Sequence, residues 1–99
     1  MEDLDDLTYD LEVDGEEVRR TIERRVWERN GWATVAIAFH ERGKDGTWSG
    51  KLALLRMKRA KGVWVKHAAI TLRGGDAIEL GAKLATWTEA LSLGDPDED

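Results

Sequence analysis

Cysteine is absent from the 99 residues, which excludes disulfides and thiolate metal sites and fits an intracellular setting. The longest apolar run, Trp32 to Phe39, contains a threonine and is far too short to span a bilayer. The first ten residues are acidic and lack a basic end followed by an apolar stretch, so no signal peptide is expected. Together these absences describe a soluble, cytoplasmic chain with no membrane partner. Histidine occurs only at His40 and His67, with no dense carboxylate cluster and no Ser or Cys nucleophile beside them. A metal site or a catalytic pair therefore has no support. The acids Glu23, Glu28, Glu41, Glu79 and Glu89 show no spacing suited to a general acid and base. Arg73-Gly74-Gly75 lacks the further glycines of a nucleotide loop. The expectation is a protein that is not an enzyme and holds no cofactor.

Positive charge is missing from both ends of the chain. All fifteen Lys and Arg lie between Arg19 and Lys83, whereas thirteen of the twenty carboxylates lie in residues 1–17 and 95–99. Fifteen bases against seven acids give residues 18–94 a charge of +8, and ends of −9 and −4 bring the chain to −5. A basic body suggests an anionic partner, which the acidic ends partly mimic or compete with. Ends that merely aid solubility are the plainer alternative. The division expected is a mobile acidic tail over 1–17, one nucleic-acid-binding domain over 18–93 and a second acidic tail over 94–99. A chain of this length builds a single modest core.

From Trp32 to Arg42 the alternation is clean. Ala33, Val35, Ile37 and Phe39 share one face, and Trp32, Thr34, Ala36, Ala38, His40 and Arg42 the other, as in a strand with one side against a core. Asn30-Gly31 before it is a strong hairpin signal, and Asp45-Gly46 after it marks a turn. Residues 14–30 carry two patterns. Val18, Ile22 and Val26 recur every four residues behind a capping-box pair, Asp14 and Glu17, which favours helix. The hairpin signal favours a strand from about Thr21 to Arg29, and a strand is the assignment adopted. In Trp48 to Ala60 the apolar parity switches between Leu52-Leu54 and Leu55-Met57, so a bulge or a strong bend is expected near the middle. Lys61-Gly62 turns the chain into a last strand, Val63 to Leu72. After Gly74-Gly75 the period changes. Ala77, Leu80, Leu84, Trp87 and Leu91 form a helical stripe, stopped by Gly94 and Asp95-Pro96. The fold class expected is α+β, a four-stranded antiparallel sheet followed by one C-terminal amphipathic helix that folds back onto the sheet.

Five tryptophans are many for so short a chain. Trp87 sits on the helical stripe and is expected in the core. Trp27, Trp32, Trp48 and Trp64 fall at strand ends or beside turns, among Arg24, Arg25, Arg29, Arg42, Lys51, Arg56, Lys58, Arg59, Lys61 and Lys66, with His40 on the same strand face as Trp32. Aromatic rings among cations on a sheet suit single-stranded nucleic acid, because bases stack on the rings while the cations track phosphates. Filling of core edges, or a dimer contact, is the structural alternative for the same rings. The densest run, Arg56 to Lys66, places five cations beside Trp64. A second apolar strip, Ile78, Ala82 and Ala85, makes the helix apolar on more than one side. Leu80, Leu84, Trp87 and Leu91 are accordingly expected at a homodimer interface.

Gly31-Trp32, the alternating strand after it, the lysine-led basic strand Lys51 to Lys58, and Ile70-Thr71-Leu72 leading into a helix together resemble the positive cofactor 4 transcriptional coactivator family, especially its small bacterial members. The resemblance covers about Thr21 to Leu91 and rests on order and spacing. It implies a Whirly-like dimer whose curved sheets present basic, aromatic grooves to single-stranded DNA, acting in transcription, replication or repair and nucleoid-associated if bacterial. Arg56 matches the family's arginine on the third strand, and Lys51 the lysine that starts it. Met57-Lys58 stand where the family commonly has a tryptophan, which shifts the expected stacking role to Trp64 or Trp32. The function expected is nonspecific binding of single-stranded DNA, or RNA. The alternative is a protein-interaction adaptor whose basic sheet docks an acidic partner.

Overall fold

The computed structural model describes residues 2–91. One turn of 3-10 helix, Leu4–Asp6, precedes β1 (Leu11–Val13), β2 (Glu16–Arg29), β3 (Trp32–Arg42), β4 (Trp48–Ala60), β5 (Val63–Arg73) and α1 (Gly74–Leu91). The strands form one antiparallel meander in chain order, so the sheet has five strands where the sequence pattern suggested four. The additional one is β1, too short to show a period. It is joined to β2 by Asp14-Gly15, residues that looked like the start of a helix.

Three of the four links use the same device. Asp14-Gly15, Asn30-Gly31 and Lys61-Gly62 each place both residues at positive φ, 54° and 80°, 52° and 78°, and 54° and 81°. That is the two-residue turn whose twist matches the strands on either side. Its demand for φ > 0 at Asn30 and Gly31 overrides the helical spacing of Val18, Ile22 and Val26, and residues 16–29 become a long strand.

The core lies on one face of the sheet. Ala33, Val35 and Ile37 are fully buried, together with Phe39, Ala53, Leu55, Met57 and Trp64. On β3 this is the alternation read from the sequence. On β4 no extra residue appears opposite β3. The parity switch is therefore no bulge. Ala53, Leu55 and Met57 face the core, while Leu52 and Leu54 are half-buried on the reverse, where they add to a second apolar surface. The irregularities fall elsewhere: Val18 on β2 has no partner on β1, Ile22 on β2 none on β3, and His67 on β5 none on β4.

Residues 2–17 are not the mobile tail expected. Leu4 is buried, and Leu7 and Tyr9 pack on the core, with the Tyr9 ring edge-on to Phe39 at 5.2 Å. The Arg24 guanidinium donates to the Leu7 carbonyl at 2.9 Å, the Tyr9 amide donates to the Thr21 hydroxyl at 2.8 Å, and the Thr21 amide donates to the Asp10 carboxylate at 2.6 Å. These bonds hold the segment as a strap across the core face, with its acids directed to solvent.

The helix departs from expectation in the opposite sense. It begins at Gly74 without a joint after β5 and lies against β4 and β5. Ala77 and Leu80 are half-buried, but no helical residue is fully buried. Trp87, expected in the core, is 47% exposed, and Leu84 and Leu91 are exposed beside it. The strap, rather than the helix, covers the core. The helix stop at Gly94 and Asp95-Pro96 and the acidic tail over 94–99 lie outside the described residues. Among the described residues no helix is long and apolar enough to cross a membrane.

Trp64 is only 5% exposed, so Trp64→Ala should lower unfolding stability by about 3–5 kcal/mol in a urea titration. Trp27→Ala, at a ring 52% exposed, should change it by less than about 1 kcal/mol.

Candidate nucleic-acid interface

The reverse of the core face is open, and the strand register decides what stands on it. Pairing of Arg29 with Trp32, Trp27 with Thr34 and Arg25 with Ala36 places Arg25, Trp27 and Arg29 on the same side as Trp32. Pairing of Trp32 with Lys58 and Thr34 with Arg56 adds the two cations of β4. The unpaired residue on β5, His67, sets its ring edge-on to Trp32 at 5.2 Å and an interplanar angle of 89°. Four strands thus deliver one patch.

Within it the cations rest on rings. Arg56 lies 4.8 Å and the Lys58 ammonium 4.9 Å from the centre of the Trp32 ring, and Arg25 lies 5.4 Å from that of Trp27. Arg56 also donates to the Thr34 hydroxyl at 3.0 Å. Among the described residues no carboxylate stands within ion-pair distance of Arg25, Arg56 or Lys58. A groove of about 520 Å³ runs between the two indoles, lined by Trp27, Glu28, Arg29, Asn30, Trp32, Thr34 and Arg56. Such a surface offers aromatic faces beside cations, of which Arg25, Arg56 and Lys58 have no carboxylate partner among the described residues, and this suits a flexible polyanion carrying flat rings.

His40, Arg42 and Trp48 stand on the same open face but at its far end, where Arg42 pairs with Trp48 and His40 with Arg20. There the charges are matched. Arg42 meets Glu16 at 3.0 Å and Arg20 meets Glu17 at 2.6 Å, while Arg20 also covers the Trp48 ring at 5.2 Å.

Four expected binding residues lie elsewhere. Trp64 is buried in the core, so its ring is not available for stacking, and Arg59 caps its edge at 5.9 Å. Lys51 pairs with Phe39 on the core side and is bound to Glu41, which also meets Arg19 at 3.2 Å. Lys66 pairs with Met57, again on the core side. Lys61 occupies the tip of the β4–β5 turn. The densest basic run is thus split between the two faces, because an extended chain turns alternate residues apart. Conversely, Arg20, Thr34 and His67 join the site without having been singled out for it. Thr34 shares the parity of Trp32 and was legible in principle. The place of His67 depends on the β5 bulge, which nothing local signals. Among the described residues no cluster of three or more His, Asp or Glu could hold a metal.

No family model, curated protein or solved structure matches the chain.

The Lys51 hydrogen bond, outweighing the opposing effect of partial burial, holds the Glu41 carboxyl below its usual 4.5, with Arg19 adding to the shift. A carboxylate depressed in the folded state contributes stability that is present in full above its unfolded value and lost as pH falls through the folded one. Unfolding stability should therefore decline on acidification below about pH 4.5, and in Glu41→Gln that decline should be shallower when followed by urea titrations across the same range.

Proposed function

We propose that this protein binds single-stranded DNA or RNA without sequence preference, as a homodimer, through the basic aromatic end of its open sheet face. One observation carries the proposal. Arg25, Arg56 and Lys58 lie on indole rings with no carboxylate partner among the described residues, while Arg20 and Arg42 at the far end of the same face are each paired with a glutamate. Like charges gathered without a counter-charge repel one another, and an incoming phosphate chain relieves that repulsion while releasing its own counterions. The most open ring is Trp27, 52% exposed, which makes it the stacking platform. Trp32, flanked by Arg56, Lys58 and His67, holds those side chains in place for phosphates. A duplex hides its base faces, so it offers the phosphate contacts but not the stacking. Work on opened strands in transcription, replication or repair is the setting this implies.

Dimerisation is supported by the surface of α1. Leu84 is 47%, Trp87 47% and Leu91 62% exposed along one apolar stripe of the helix, and Ile78, on its second apolar strip, is 78% exposed.

Quenching of tryptophan fluorescence by oligo-dT at two salt concentrations tests the binding. Affinity should fall steeply with salt, Arg56→Ala and Lys58→Ala should each reduce the logarithmic salt slope by about 0.7, and Trp27→Ala should cost about 1–3 kcal/mol. Binding indifferent to salt, or an unquenched protein that binds an acidic polypeptide instead, would reject the proposal in favour of an adaptor. For the dimer, sedimentation should give twice the chain mass for the wild type and the single-chain mass for Leu84→Asp with Trp87→Asp; a monomeric wild type refutes it.

A further inference from the structure

Arg20, His40, Arg42 and Trp48 repeat, at the far end of the open face, the combination of cations and indole found at the near end. The two clusters stand at opposite ends of β3. From Trp32 to Arg42 the strand spans about 33 Å, at about 3.3 Å per residue. Between them β3 contributes the uncharged Thr34, Ala36 and Ala38, with Arg25 and Glu23 of β2 opposite the two alanines. The face is bordered toward the far end by a groove of about 310 Å³ between Ile22 and His40 on the sheet and Ala77 and Ile78 on the helix. Unstacked bases can lie along such a surface.

The far cluster differs in being occupied. Glu16 and Glu17 open β2 directly after the Asp14-Gly15 turn, and the β1–β2 hairpin holds them beside Arg42 and Arg20 at 3.0 and 2.6 Å. A carboxylate presents to a guanidinium the same paired oxygens as a phosphate. These ion pairs are exposed and weak in water, whereas a polyanion that exchanges for them also gains counterion release.

On the premise of single-strand binding at the near end, we infer that Arg20, His40, Arg42 and Trp48 form a second subsite for the same strand. Glu16 and Glu17 occupy it as phosphate mimics in the free protein. Only a strand long enough to run the length of the open face displaces them. Short strands bind the near cluster alone.

The test compares oligo-dT of about 4 and about 16 nucleotides on the wild type and on the double variant Glu16→Gln, Glu17→Gln. The variant should bind the long strand about fivefold more tightly and the short one within twofold of wild type. Trp48→Ala added to the variant should abolish the gain. Asp5→Asn with Asp6→Asn, which removes the same charge from the strap on the other face, should change neither affinity beyond twofold. A gain for neither length, an equal gain for both, or an equal gain in the Asp5 and Asp6 variant overturns the subsite while leaving near-end binding intact. A wild type that binds the short strand at no salt concentration instead removes the premise, and the subsite with it.

Discussion

Leu4, Leu7 and Tyr9, laid over Phe39 and the apolar side of β3 and β4, decide almost everything else about this molecule. A single antiparallel sheet must hide one side and can leave the other wet. Here the side with Ala33, Val35, Ile37, Ala53, Leu55 and Met57 is the one closed, by a strap of the same chain pinned through Arg24 and Thr21. Because side chains alternate along a strand, closing that side leaves the residues of the other parity on the reverse face. Trp27, Trp32, Arg56 and Lys58 stand on the open face for the same reason that Val35 and Ile37 do not.

The strap also sorts the charges. The acids of residues 2–10 stay on the core side, away from the basic patch. Those that follow the Asp14-Gly15 turn, Glu16 and Glu17, fall beside Arg42 and Arg20. Most of the negative N-terminal charge thus does not neutralise Arg25, Arg56 and Lys58, although the sequence places it close by. A chain with formal charge −5 can in this way present one strongly positive surface, and local field matters more to a polyanion than the total.

The helix shows what a small sheet cannot provide for itself. Once the strap has covered the core face, α1 lies against β4 and β5 with Ala77 and Leu80 half-buried, while Leu84, Trp87 and Leu91 stay exposed. The stripe is real, but its spacing carries no information on whether its partner is the same chain or another. Leu52 and Leu54, half-buried on the open face, pose the same question. In the proposed dimer these surfaces supply the burial that one chain lacks.

Some features were legible from local chemistry alone. Asn30-Gly31 and Lys61-Gly62 are turns because two consecutive positive φ angles suit few other residue pairs, and the alternation of Trp32 to Arg42 forces a two-sided strand. The period change near Gly74 likewise places a helix where one is found. Tertiary structure decided which face closed, and with it the fate of each aromatic ring. Trp64 and Trp32 have similar neighbours in the chain, yet one is buried and the other stands at the basic patch. The difference comes from register: Trp64 lies opposite Arg59 on the core side, and the bulge at His67 reverses the parity of β5 beyond it. Strand pairing is a long-range choice, made where the whole sheet buries the most apolar surface, and a one-residue slip exchanges the two faces. By itself the sequence therefore determined the elements and the charge available to them, and the cover over the core determined which of those side chains meet on one surface.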